Sequence, residues 1–330
     1  MEKTEELNIL ISSAGRQLPL VKAFVKAIDG SGKIIVADSN PYVSSGTAAD
    51  LSIVSPKFST QEYKNWCLDV CMKYGVGLWI SLHEEELVEL EDLRQQMNEL
   101  DCLLIGAPTE HLRHTMDKYS YPSFLKEFNI LVPKTWILKD LNSELSLPPG
   151  KYIIKMRKGR GSKGIIRVEN TQELLNIAKE KKYSEDWVAQ EVIEGEVYCV
   201  DVINDLNRDF SSCLVRKRLV MGGQETDVAE TVINDDINQI AQRLSKAIMH
   251  QGCADVDIIK KDEKYYVIDI NVRFGGSHIF SMAAGANIPA AIIAWRTGKN
   301  VNSDWLRHDT GNIFTRYSNV VPYTKNYSNC

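Results

Sequence analysis

The chain has no apolar run near the roughly 20 residues that a membrane-spanning helix requires. Its first residues, MEKTEELNILISSAG, carry acids and only a short apolar stretch, unlike a secretory leader, so a cytoplasmic protein is expected. The seven cysteines are an odd number with no CxxC spacing, which argues against a disulfide framework or a zinc knuckle. Cys67 and Cys71 would share a helix face, yet as isolated positions they read as small apolar fillers in a reducing compartment. An excess of positive charge is also lacking, with 39 Lys and Arg against 44 Asp and Glu. A formal net charge of −5 and a pI near 5.8 are unsuited to a dedicated nucleic-acid binder, which must displace counterions with cationic surface.

At 330 residues, 44% hydrophobic and 25% charged, the chain suits a soluble protein of two or three packed units. LNILISSAGR reads as a strand and turn, LPLVKAFVKAI as a helix, and KIIVADSN and YGVGLWISL as further strands. HEEELVELEDLRQQMNEL reads as one long helix with acids in its first turn, where the helix dipole favours them. This is the rhythm of a parallel sheet covered by helices. Ala14-Gly15-Arg16 lacks the second and third glycines of a dinucleotide fingerprint. From Lys151 the pattern changes to short strands with hairpin turns and two helices, TQELLNIAKEKK and DDINQIAQRLSKAIMHQG. In the second helix Ile237, Ile240, Ala241, Leu244 and Ile248 form one apolar stripe.

Residues 155–164, KMRKGRGSKG, place five cations among three glycines. A Walker loop or a dinucleotide turn would run into a helix, but here an apolar strand, IIRV, follows. The segment therefore reads as a hairpin tip. Glycines at such a tip let backbone N–H groups approach an anion, and Lys155 on the incoming strand offers a point charge to a phosphate. A kinase would also need H-R-D and D-F-G motifs, and the chain has neither.

The stretch ADVDIIKKDEKYYVIDINVRFGGS, residues 254–277, reads as two strands and a polar turn. Alternation puts Asp269, Asn271 and Arg273 on one face, and the turn length sets Asp257 about opposite Asp269. Two carboxylates and an amide oxygen are hard ligands suited to Mg²⁺, and an arginine beside them can neutralise a phosphoryl group in transfer. Asp and Asn are poor strand formers, so their presence amid strong β-formers suggests a site. Between the two motifs, WVAQEVIEGEVYCVDVI leads one strand into another through an acidic turn.

In this order and spacing, Lys118, Lys155, the glycine hairpin, QEVIEGE, Asp257 and DINVR resemble the ATP-grasp superfamily. The likeness runs from about residue 8 to 300. It is greatest for short single-module proteins similar to the carbamoyl-phosphate synthase large subunit. The resemblance implies a Rossmann-like pre-ATP domain over residues 1–108 and two α+β subdomains, 109–190 and 191–330, that grasp ATP between them. It implies Lys118 and Lys155 as cations on the phosphates, and Gly159, Gly161, Ser162 and Gly164 as the phosphate lid. Glu191 and Ile193 would form the adenine hinge and Glu196 the ribose carboxylate. Asp257, Asp269 and Asn271 would hold Mg²⁺ (or Mn²⁺), and Arg273 with Lys155 would serve the phosphoryl transfer. The chain departs from the family pattern at Asp269 for Glu, Val272 for Pro, Met156 for Pro, and Asp257 for Gln or Glu.

The activity so implied is an ADP-forming ligase that activates a carboxylate as an acyl phosphate for attack by an amine. Its substrates would be small molecules. A homodimer is compatible with this, and neither nucleic acid nor membrane is expected as a partner. Arg216 and Arg218, in RKRLVMGGQETDVAETV, are candidates for pairing a substrate carboxylate; the Ala14–Arg16 turn and Asp38 also face the substrate in this reading. A catalytically silent ATP-binding regulator and a partial carbamoyl-phosphate-synthase-like module are the alternatives.

Overall fold

The computed structural model describes residues 6–141, 147–159, 164–180, 185–223 and 225–323. Five strands form the first sheet: β1 (Asn8–Ser12), β2 (Ile34–Asp38), β3 (Leu51–Val54), β4 (Val76–Ser81) and β5 (Leu103–Ile105). All pair in parallel, in the order β3-β2-β1-β4-β5. Ile9, Leu10 and Ile11 are wholly buried, as a strand covered on both faces requires. Helix Leu18–Ile28 follows β1 with a proline in its first turn, and turns Leu20, Val21, Phe24 and Ile28 inward. The chain progresses one way from β1 to β2 and the other way from β1 to β4, so the carboxyl ends of β1 and β4 flank the switch point.

The long helix expected over 83–100 is broken. Helix Glu84–Leu90 gives way to a tight turn at Glu91–Leu93 before helix Arg94–Glu99. The buried positions Leu87, Leu90 and Leu93 recur every three residues, a spacing that favours the tighter 3₁₀ winding. Strands β3 and β5 are short, and the sequence patterns did not single them out.

A small antiparallel sheet follows, built from β6 (Thr135–Ile137), β7 (Tyr152–Met156), β8 (Ile166–Val168) and β9 (Trp187–Glu191) in the order β6-β9-β7-β8. The expected hairpin is present as the β7–β8 pair. This sheet and helix Thr171–Ala178 close over their own small core, which includes Leu138, Tyr152, Ile154 and Leu174. Asn170 caps the helix, its side chain accepting from the Glu173 amide at 2.9 Å.

The third sheet comprises β10 (Glu196–Asn204), β11 (Phe210–Gly222), β12 (Glu225–Val232), β13 (Gly252–Lys261), β14 (Lys264–Asn271) and β15 (Ile313–Thr315). Its antiparallel order is β14-β13-β10-β11-β12-β15. Helix Asp235–Ile248 buries the expected stripe and is capped by Asn234. The first and third sheets share cores: Ile9 and Ile11 cluster with Ile203, Leu214, Ile288 and Ile292. Helices His278–Ala283 and Ile288–Arg296 carry the chain back toward the first sheet. Among the described residues, no helix is long and apolar enough to cross a membrane.

Candidate active site

The three sheets enclose one cavity of about 1190 Å³, lined by the turns after β1 and β4, the β7–β8 hairpin, the end of β9, and the β13–β14 pair. Lys118, Lys155, Gly159, Glu191, Ile193, Arg218, Asp257, Asp269, Asn271 and Arg273 all line it. Residues separated by more than 150 positions in the chain thus meet as the motif order implied.

At one end stand the two lysines. Lys155 Nζ donates to Gln190 Oε1 at 2.8 Å, and Lys118 Nζ donates to the Gly159 carbonyl at 2.6 Å. Burial pushes the Lys155 ammonium down to about 8; the Asp269 charge pulls it back up, and Lys118 adds to the lowering. A cation this poorly solvated is stabilised by an incoming polyanion. Gln190, itself buried, fixes Lys155 while donating to Tyr121 Oη and Thr135 Oγ1 at 3.2 and 2.9 Å.

Of the five cations in the basic stretch, Arg157 has a structural task. It forms a two-pronged pair with Asp117, Nε to Oδ1 at 2.8 Å and Nη2 to Oδ2 at 2.6 Å. Burial alone would raise the Asp117 carboxyl, but this pair and the Tyr119 amide hold it below its ordinary value. Because the Lys118 amide also donates to the Arg157 carbonyl, the pair sets Lys118 beside the hairpin. Gly159 is required there, since a Cβ would lie 2.8 Å from the Met156 Cβ. Gly164 closes the hairpin at φ 71°, a conformation that favours glycine. Gly161 and Ser162 lie outside the described residues.

On the facing wall, Asp257 and Asp269 are direct cross-strand partners, as the turn length required. Asn271 Nδ2 donates to Asp269 Oδ2 at 3.0 Å, and Arg273 Nη2 donates to Asn271 Oδ1 at 3.1 Å. The carboxylates and the amide oxygen thus sit together facing the cavity, a hard-oxygen set that fits a small divalent cation. Asp257 is engaged from the side by Arg218 Nη2, at 3.0 and 2.9 Å to its two oxygens.

Three expected residues have other tasks. Arg216 is wholly buried and ion-paired to Asp201, with Ser277 and Ser281 as further acceptors, so it cannot meet a substrate carboxylate. Alternation gives Arg216 and Arg218 the same face of β11, and Arg216 is the one covered by helix His278–Ala283 and the Ser277 turn before it. Arg218 does line the cavity, but the carboxylate it holds is Asp257. Glu196 stands outside the cavity lining and accepts from Lys217 Nζ and Tyr198 Oη. The stretch 216–232 is thereby the β11–β12 pair.

Two acids escaped the sequence reading. Asp255 lies opposite Asn271 and lines the cavity; burial, with the Asp257 and Asp201 charges nearby, raises its carboxyl. Alternation in ADVDII could have found it, two residues before Asp257. Glu84, buried at the start of its helix, accepts from the Val272 amide at 2.7 Å. Here Val272 supplies an N–H that a proline would lack, and the first domain thereby grips the DINVR motif. Nothing local announces a contact across 188 positions.

Two regions of the chain match known domain patterns. The ATP-grasp domain pattern matches residues 115–277, and that of the PylC-like, N-terminal domain matches residues 9–105. A D-alanine–D-alanine ligase of Petrotoga mobilis is 24% identical over 195 residues, 52% of this chain and 62% of that protein. The carbamoyl phosphate synthase large chain of Pseudothermotoga lettingae is 26% identical over 222 residues, 62% of this chain but 20% of its own length. The match therefore spans less than two thirds of either curated relative.

Among solved structures, L-amino acid ligase from Bacillus licheniformis superposes with a TM-score of 0.68 at 17% identity, covering 92% of this chain and 78% of that one. N5-carboxyaminoimidazole ribonucleotide synthetase from Thermotoga maritima gives 0.67 at 20% identity, covering 91% and 78%. At these identities the likeness establishes the fold. The chain therefore carries an ATP-grasp domain over residues 115–277, preceded by a PylC-like N-terminal domain over residues 9–105.

Proposed function

We propose that the protein is an ATP-dependent carboxylate–amine ligase that forms ADP. One observation carries the reading: two lysines suited to phosphates share a single cavity with an Asp257–Asp269–Asn271 oxygen cluster and Arg273. ATP would lie with its phosphates against Lys118 and Lys155 and its base toward Glu191 and Ile193. Asp257, Asp269 and Asn271 would hold Mg²⁺, which supplies charge neutralisation on the phosphates when bound.

In the reaction, a substrate carboxylate oxygen attacks the γ-phosphorus, the bond to the β-phosphate oxygen breaks, and ADP leaves. Arg273 neutralises charge on the transferring phosphoryl, and Lys155 stabilises the phosphate oxygens as they gain charge. The resulting acyl phosphate is then attacked by an amine, releasing phosphate and one proton. None of these steps needs a nucleophile from the protein, only positioning in the cavity. The Lys155 ammonium, poorly solvated before ATP arrives, regains its stabilisation from the phosphates.

The test is ³¹P NMR of the purified protein with Mg·ATP and pooled amino acids and small carboxylates. ADP and phosphate that appear only with a pool support the ligase, and dividing the pool names the substrate. AMP with pyrophosphate would overturn the acyl-phosphate mechanism.

A further inference from the structure

Away from the lysines, the cavity carries an ion cluster contributed by three segments far apart in sequence. Glu225, the first residue of β12, places Oε1 3.5 Å from Arg16 Nη2 and pairs through Oε2 with Arg316 Nη1. All three residues line the cavity. Arg16 belongs to the turn after β1, at the switch point where ligands enter open α/β sheets. Arg316 follows β15 and is held firmly: its amide donates to the Asp227 carbonyl at 2.7 Å, its Nη2 to the Gly276 carbonyl at 2.7 Å, and its guanidinium lies over Phe280.

The cluster sits close to the transfer machinery. Gly276 is three residues past Arg273, and a Cβ on it would lie 4.0 Å from the Glu225 carboxyl carbon. The two arginines differ in freedom, with Arg316 18% exposed and Arg16 91% exposed. A rigid guanidinium and a mobile one, each taking one oxygen of a single carboxylate, form a clamp that can open and close on a ligand.

We propose that Arg16 and Arg316 form the binding site for a carboxylate of the substrate, and that Glu225 fills this site in the substrate-free protein and gives way when the substrate enters. Calling the ligand a substrate rests on the ligase reading; the site itself does not need turnover to be tested. Glu225 then acts as an internal competitor, which lowers the apparent affinity of a free carboxylate by the fraction of time it holds the clamp.

The experiment is titration of the full chain with succinate, a probe without an amine, followed by saturation-transfer NMR in the absence of ATP. Glu225→Gln should bind succinate about threefold tighter than the unaltered protein, the factor expected of an exposed intramolecular pair. Arg16→Gln, at an exposed side chain the fold does not need, should weaken succinate about fivefold, and adding Glu225→Gln should recover only the part that freeing Arg316 supplies. Glu230→Gln removes a charge from the same strand outside the cavity lining and should leave affinity unchanged. Equal tightening by Glu230→Gln, an unaltered affinity in Glu225→Gln, or no binding by any variant would overturn the proposal. A protein that passes this cycle yet forms no ADP with any pool would retain the carboxylate site and lose the ligase reading.

Discussion

Replacing Lys155 with methionine should make the nucleotide-free protein more stable at neutral pH while removing its response to ATP. Burial lowers the lysine from its ordinary 10.5 to about 8, so its charged form is disfavoured in the folded protein. A drop of this size corresponds to about 3 kcal/mol of destabilisation at pH 7. The sign follows from proton binding. Between about 8 and 10.5 the unfolded chain holds the proton and the folded one does not, so this contribution to stability rises with pH. Below pH 8 the full cost persists, and above 10.5 it vanishes. Methionine removes the cost but leaves the buried Gln190 Oε1 without its donor, a loss of about 1–3 kcal/mol.

At pH 7 the variant should therefore be between equal to the original and about 2 kcal/mol more stable. Near pH 11 the gain is gone and the variant should be the less stable of the two. Urea midpoints of both proteins across this range, without Mg²⁺ or nucleotide, measure the difference. ATP should stabilise the original protein and leave the variant unmoved. A stability difference independent of pH would refute the account of a desolvated, charged Lys155.

Four further outcomes follow from the same geometry. Asp201→Ala leaves the wholly buried Arg216 only the Asp255 carboxylate at 3.9 Å in place of its close pair, and should cost about 3–5 kcal/mol, read as a lowered thermal midpoint. Glu84→Ala, which orphans the Val272 amide, should cost about 1–3 kcal/mol, and Glu84→Gln, which keeps an acceptor, should restore most of it in urea unfolding. Gly195→Ala would set a Cβ 1.9 Å from the Lys260 carbonyl oxygen, so the β10–β13 pairing must shift; slower refolding and a lower midpoint are expected, and a neutral effect would contradict the close approach. Asp269→Asn should cut pool-dependent ADP formation about 10²–10³-fold, a far larger effect than the small fall in thermal midpoint expected from losing its attraction for Lys155.

Local patterns were enough to reveal much of this protein. The buried runs of β1, β2 and β4 and the stripe of helix Asp235–Ile248 follow from hydrophobic period alone. Pairing of Asp257 with Asp269 follows from alternation and the length of one turn, because a hairpin is a local structure. The glycine hairpin after Lys155 was legible because glycine and the strand that follows are chemical statements about the backbone.

What depended on distant chain was not legible. Arg216 and Arg218 look alike in RKR, and only the helix packed above β11 makes one a buried partner of Asp201 and the other a neighbour of Asp257. Glu84 is one of three consecutive acids, and its acceptor role exists only because the first and third sheets share a core. Glu225 meets Arg16 and Arg316 for the same reason. Sequence determines which residues can bind charge, since that is a property of each side chain. Tertiary packing decides which of them reach the cavity, since burial and pairing depend on atoms hundreds of residues away.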